Sequence, residues 1–308
     1  MNTYLKYQPP AIQFLTFLAL AGGFFLLNYG ISTFFFNDIG GVLVDKNAIV
    51  SQAIIGRFKW AQFTGSLVSF LLPALFFGYY SSPKALPYIG IQRSIVPELF
   101  LASVVLLFCI QPFVGWLGEL NAHIRFGSLQ KPFEEMDALQ NRALQVFLQM
   151  KTPADLLVNL LIMAILPAVS EELFFRGALQ KTLSGLSNKP WLAIVISSVV
   201  FSLLHGTFFK LLPIFTLSLV LGTVYQVTRN LWYPITIHFL NNALAVLSVY
   251  YADSSPILKR FASDNISVPL YIALVSLLIG LGIIYFIKRK SDKELPEIIT
   301  NENNDYLA

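Results

Sequence analysis

The 308-residue chain is 56% hydrophobic and only 12% charged, about half the charge usual in a soluble domain. A mean hydropathy of +0.65 excludes a soluble core with a wetted surface, and disordered, collagen-like and disulfide-scaffold classes fall with it. The net charge of +4 comes without a basic block long enough for nucleic acid, and the single cysteine, Cys109, rules out an intrachain disulfide.

A helix needs about 20 apolar residues to cross a bilayer core. Eight segments approach or meet that length, at about 11–36, 62–81, 97–117, 156–180, 191–209, 211–228, 232–251 and 268–287. Only elements that satisfy their own backbone cross lipid, and runs this long fit helices and not barrel strands. The first run exceeds a signal-peptide core and lacks a basic start and a small-residue cleavage site, so it reads as retained. Between the third and fourth runs lies a polar insert, about 119–152. In it Met136, Leu139, Ala143, Phe147 and Met150 recur at three- and four-residue spacing among Glu134, Glu135, Asp137, Asn141 and Arg142. That pattern predicts an amphipathic helix at the interface or capping the bundle. The expected fold is therefore all-α, a polytopic bundle of about eight transmembrane helices with one amphipathic insert helix. Residues 1–290 read as a single transmembrane domain and 291–308 as a polar, disordered tail. Lys288, Arg289, Lys290 and Lys293 follow the last span. With the 176–189 connection (Arg176, Lys181, Lys189) they favour both termini in the cytoplasm, in a plasma (inner) membrane.

Seventeen carboxylates are present, and nearly all sit in loops, at span ends or in the tail. Glu171 and Glu172 do not: they follow the run Leu156–Val169 and precede Leu173, Phe174 and Phe175, with Arg176 close behind. A charge near the bilayer centre costs about 2.5–3.5 kcal/mol, so it needs a partner. His205 and His238 also fall within spans. Phe201 precedes His205 by four residues and Asn242 follows His238 by four, each pair on one helical face. Adjacent helical residues are about 100° apart, so one glutamate can face a cavity while the other turns toward Arg176. Taken singly, each feature has a plainer reading, a helix-end ion pair or an interhelical hydrogen bond. Glu134, Glu135 and His123, on the insert, read as surface residues. Two carboxylates, an arginine, two imidazoles and a carboxamide within 72 residues instead predict polar faces that meet. Such a set suits hydrolysis of an amide by water. A glutamate takes the proton, a histidine orients the water or holds a metal, and a second histidine and an asparagine donate to the oxyanion. There is no H-E-x-x-H run, and no serine or cysteine stands in a nucleophile pattern.

At these residues the sequence resembles the CPBP family of intramembrane proteases (CAAX proteases and bacteriocin-processing enzymes), also called the Abi family. The motif E-E-x-x-x-R is Glu171, Glu172 and Arg176; F-x-x-x-H is Phe201 and His205; H-x-x-x-N/D is His238 and Asn242. The resemblance covers about 155–247. Through the type II CAAX prenyl endopeptidases it implies eight helices around a cavity open to the cytosol, and a peptide or protein substrate, lipid-modified in CAAX processing. It implies that Glu171 and His205 activate water, that His238 and Asn242 form the oxyanion site, and that Glu172 and Arg176 support them. Family members are called metalloproteases, and a metal-free route is also argued. Zinc would take His205, His238 and one glutamate as ligands. The metal-free route keeps His238 and Asn242 as paired donors and Glu171 as base.

The reading is thus an endopeptidase that cuts a peptide bond near the cytoplasmic face and sits among membrane lipids. Two rivals belong to other classes: a non-hydrolytic immunity or regulatory scaffold, and a proton-coupled transporter in which the same residues relay protons. No paired inverted repeat is visible to favour transport.

Overall fold

The computed structural model describes residues 4–37, 39–44, 50–92, 94–255, 258 and 267–304. Among them the regular structure is entirely helical: α1 (Pro10–Phe35), α2 (Ile39–Val44), α3 (Gln52–Ser81), α4 (Ala85–Tyr88), α5 (Pro97–Ala122), α6 (Gln130–Phe147), α7 (Pro153–Ser187), α8 (Pro190–Leu204), α9 (Leu211–Thr228), α10 (Trp232–Tyr250) and α11 (Leu270–Asn304). Each of the eight apolar runs is a helix, but six are long and apolar enough to cross a membrane: α1, α3, α5, α7, α9 and α11. Helix α8 has only 15 residues, and α10 carries His238, Asn241 and Asn242 along its length. The two helices that fall short are those bearing the membrane histidines. The segment 291–308, set apart in the sequence as a tail, continues α11 as far as Asn304, and 305–308 lie outside the described residues.

Local chemistry sets the helix starts and irregularities. At the start of α7, the Thr152 side chain accepts from the Asp155 N–H and the Asp155 carboxylate accepts from the Thr152 N–H, a reciprocal cap with Pro153 in the first turn. Wide π turns occupy Ser66–Leu71 and Leu160–Ile165, directly ahead of Pro73 and Pro167. Proline lacks an N–H and its ring crowds the carbonyl four residues back, and a wider turn relieves both. A third π turn, Leu173–Gln180, begins at the residue after Glu172.

Helices α5 and α11 approach closely because Gly280 faces Ile110 and Leu106, where an added Cβ would come within 2.8 Å of Ile110. The Ser276 hydroxyl donates to the Cys109 carbonyl (2.6 Å) and accepts from the Phe113 N–H (3.2 Å). The opposite face of α11 turns Leu274, Leu278 and Leu281 outward, as a lipid-facing surface requires. Around α7, the rings of Phe17, Phe70, Phe77, Phe174 and Phe175 form an edge-packed cluster with centroid separations of 5.0–5.9 Å. This cluster anchors the residues that follow Glu172.

Hydrogen bonds define the two ends of the bundle. At one end the Tyr88 hydroxyl meets Gln13 (3.2 Å), the Leu231 N–H donates to the Gly90 carbonyl (2.8 Å), and Ser291 donates to the Val227 carbonyl (2.6 Å). Residues near both termini therefore lie at this end, closed by the 82–96 connection. At the other end Asn121 donates to the Phe208 carbonyl (2.9 Å), Asn159 to the Phe147 carbonyl (2.7 Å), and Arg142 to the Val42 carbonyl (3.0 Å). Helix α6 caps that end.

Candidate active site

Helix α7 carries both glutamates at mid-length, and the two behave differently. Glu172 is fully buried, and its Oε1 accepts from Arg176 Nη1 (2.8 Å) and His238 Nδ1 (2.9 Å). Arg176, 1% exposed, sends Nη2 to the Ser218 carbonyl (3.0 Å) and hydroxyl (2.8 Å) on α9, and its guanidinium lies 4.9 Å from the Phe201 ring centre. A buried cation this well enclosed by a carboxylate, two oxygens and a ring face makes a rigid post behind the site. Glu171 makes no such bonds. Its Oε2 is buried without a hydrogen-bond partner and lies 3.9 Å from His238 Nε2.

Both histidines are held by Nδ1. Carbonyl and carboxylate oxygens only accept, so each Nδ1 carries a hydrogen: that of His205 goes to the Phe201 carbonyl (2.8 Å), that of His238 to Glu172. In each ring Nε2 is left for chemistry. His205 caps the C-terminus of α8, where Gly206 takes φ +66° and ends the helix. The His205 carbonyl accepts from Gln140 of α6 at 3.3 Å. Asn242 lies one turn beyond His238 on α10. Its Oδ1 accepts from Asn241 (3.5 Å), and Asn241 in turn accepts from Gln111 (3.1 Å).

Glu171, His205, His238 and Asn242 line one cavity of about 390 Å³. Phe70, Leu144, Phe147, Met163, Phe175 and Phe201 supply most of the apolar wall and Gln62 and Gln140 add two amides, so the four site residues converge in a chamber of mixed polarity. Glu172 and Arg176 stand behind the wall and not in it. Of the sequence candidates, then, four reach the cavity and two support it. Sequence reasoning missed Ser218 and Gln140. A serine in an apolar helix carries no distinguishing signal, and Gln140 sits on the polar insert, with no sequence mark of its link to His205. Glu134 and His123 stay on the exposed side, bonded to Gln130 and the Glu119 carbonyl.

The cavity extends from the carboxylates to α6, which contributes Gln140, Ala143, Leu144 and Phe147. The sequence reading put cytoplasmic termini and the cutting site on one face, and the structure corrects that pairing. Both terminal regions lie at the end opposite α6. Residue counting missed this because His205 sits at the C-terminal end of α8, where the Gln140 side chain of α6 reaches its carbonyl.

The Nδ1 bonds also give both histidines the orientation that a metal ligand needs. The described residues nevertheless contain no group of three or more His, Cys, Asp and Glu side chains placed to hold an ion. Glu172 is already committed to Arg176 and His238. As placed, the residues do not fit a zinc site.

Residues 153–244 match the family model described as "Type II CAAX prenyl endopeptidase Rce1-like". Residues 153–244 are thus similar to that family. The match supports assignment to the CPBP, or CAAX protease, family, which implies a hydrolase acting on a protein or peptide substrate in the membrane. With six helices among the described residues long and apolar enough to cross a membrane, the chain is an integral multi-pass membrane protein. No curated protein and no solved structure matches the chain.

Proposed function

We propose that the chain hydrolyses a peptide bond inside its cavity with water activated by Glu171 and His205, and without a metal. The observation that carries the reading is the asymmetry of the two glutamates. Glu172 is committed through its Oε1 to Arg176 and His238 and stands behind the cavity, while Glu171 makes no hydrogen bond among the described residues and lines the cavity wall. A carboxylate tied to two donors orients its neighbours, and one without donors facing the cavity is available to take a proton.

Glu171 removes a proton from water while His205 Nε2 accepts the second water hydrogen and aligns the oxygen. The oxygen attacks the scissile carbonyl carbon, and the carbonyl oxygen becomes an oxyanion. His238 holds Glu172 through Nδ1; with a hydrogen on Nε2 as well, it donates there to the oxyanion, beside the Asn242 amide one turn away. Collapse of the intermediate breaks the C–N bond, and Glu171 returns its proton to the leaving amine. The apolar wall suits a substrate with apolar side chains, or an isoprenoid, next to the bond that is cut.

The test compares membrane peptidomes of cells carrying wild-type protein and Glu171→Ala. A peptide or lipidated tail present only with wild-type protein supplies substrate and activity together. Identical peptidomes, with full biological function in both Glu171→Ala and His205→Ala, would replace the enzyme reading with that of a scaffold.

A further inference from the structure

A second cavity, of about 180 Å³, lies at the terminal end of the bundle, away from α6. Gln180, Lys181 and Ser184 reach it from α7, and Tyr225, Gln226 and Arg229 from the end of α9. Its electrostatics are one-sided. Lys181 is part-buried over the Tyr88 ring, with its ammonium on the Tyr88 carbonyl, and the charges acting on it are Arg229 and Lys6, both cations. Among the described residues no carboxylate acts on Lys181. A cation held out of water beside other cations is costly unless an anion joins it.

The cavity also holds further hydrogen-bonding groups. The Arg229 guanidinium is exposed and Ser184 and Gln226 are part-buried, so these groups face solvent at the cavity and can turn to a ligand. Gln180 is 1% exposed and spends its amide N–H on the Gly222 carbonyl (3.1 Å), which leaves a buried Oε1 with nothing to accept from. Buried polar atoms are ordinarily satisfied, and this orphan on a residue lining the same cavity as Lys181 and Arg229 points to a ligand. Two cations with hydroxyl and amide donors suit a phosphate, and the lone orphan acceptor suits a hydroxyl attached to it.

We infer that this cavity binds a phosphate group bearing a neighbouring hydroxyl, as presented by the headgroup of a glycerol-type anionic phospholipid, with Lys181 and Arg229 as its anchors. The site lies at the bundle end where Lys288, Arg289 and Lys290 also gather, so an anionic leaflet would concentrate the ligand there.

The test uses the full chain in nanodiscs of phosphatidylcholine, with and without phosphatidylglycerol, read by thermal unfolding and by lipid retained in native mass spectrometry. Wild-type protein is expected to retain phosphatidylglycerol in preference to phosphatidylcholine and to melt at higher temperature with it. Arg229→Asn removes the charge and suits the φ of +54° at that position, and Lys181→Met removes the other anchor. Each should weaken retention about tenfold, the scale of one lost charge-assisted hydrogen bond. Stabilisation by glycerol 3-phosphate in pure phosphatidylcholine, abolished by Arg229→Asn, would support the same site with a soluble ligand. Should Lys181→Met fail to fold, Arg229→Asn alone decides. Equal phosphatidylglycerol retention by wild-type protein and Arg229→Asn, with no response to glycerol 3-phosphate, would overturn the inference.

Discussion

Exchanging either glutamate for glutamine removes one negative charge from the same turn of α7, yet the two changes should differ sharply. Glu172 accepts two charge-assisted hydrogen bonds at 2.8 and 2.9 Å inside a fully buried post. Glu172→Gln leaves the Arg176 guanidinium without its anion, at 1% exposure. Removing one partner of a buried ion pair costs about 3–5 kcal/mol. The bonds from Arg176 to Ser218 and the Phe201 ring face remain, which favours the lower end of that range. Glu171→Gln breaks no hydrogen bond and loses only the 3.9 Å approach to His238 and a weaker charge contact with Arg176, so its cost should fall well below that of Glu172→Gln. Both variants should lose cleavage, Glu171→Gln through its base and Glu172→Gln through a displaced His238. Unfolding in mixed micelles against added SDS measures the difference, with activity assayed on the same preparations. Equal stability of the two variants would refute the division of labour between the glutamates, whatever their activities.

Arg176→Lys should destabilise the protein by about 1.5–3 kcal/mol and depress cleavage, because a single ammonium cannot span Glu172 and Ser218; thermal unfolding in detergent checks it. Gly206→Ala should lower kcat more than stability. Its φ of +66° disfavours a side chain, and the new Cβ would meet Gln140 at 2.9 Å, shifting the turn that aims His205. Protein stripped with a chelator should keep its cleavage rate and contain well under one zinc per chain. Activity lost on stripping and restored by zinc alone would require the histidines to move into a ligand set.

The long apolar helices and the insert were legible because burial in lipid demands apolar runs and an interface demands a 3.6-residue stripe. The family was legible because the glutamates, histidines, arginine and asparagine are residues that a membrane span does not carry without cause. What stayed hidden has equally physical reasons. Ser218 anchors Arg176 from a helix that looks uniformly apolar. Lys181 looks in sequence like one more orientation charge, and only the fold puts it over Tyr88 beside Arg229. All eight apolar runs are helices, and the two that fall below the length or apolarity of a span are α8, with 15 residues, and α10, which carries His238, Asn241 and Asn242. Faces counted at 100° per residue also drift wherever a π turn intervenes, as it does from Leu173 to Gln180.

The separation of the cavity from the termini can be tested whichever way the bundle is inserted. Helix α6 lies over the cavity at one end of the bundle, and Lys290 pairs with Glu98 (3.5 Å) at the other. A membrane-impermeant thiol reagent should therefore label Glu134→Cys and Lys288→Cys from opposite sides of sealed vesicles, in a background where Cys109 is serine. Labelling of both from one side would contradict the arrangement of the bundle. If the basic cluster after the last span keeps the tail in the cytoplasm, the Glu134 probe is reached from outside, and the scissile bond enters from the outer face. A prenylated cytosolic tail would then be the wrong substrate, and an exported peptide or the outer segment of a membrane protein the right one. If the Glu134 probe is reached from the cytoplasm instead, the CAAX-type substrate stands, and the Lys288–Lys293 cluster has been outweighed by the basic residues around α6, Arg125, Lys131, Arg142 and Lys151. Those two groups of charges are close enough in number that sequence arithmetic leaves the sign open, and one labelling experiment decides both the topology and the substrate class.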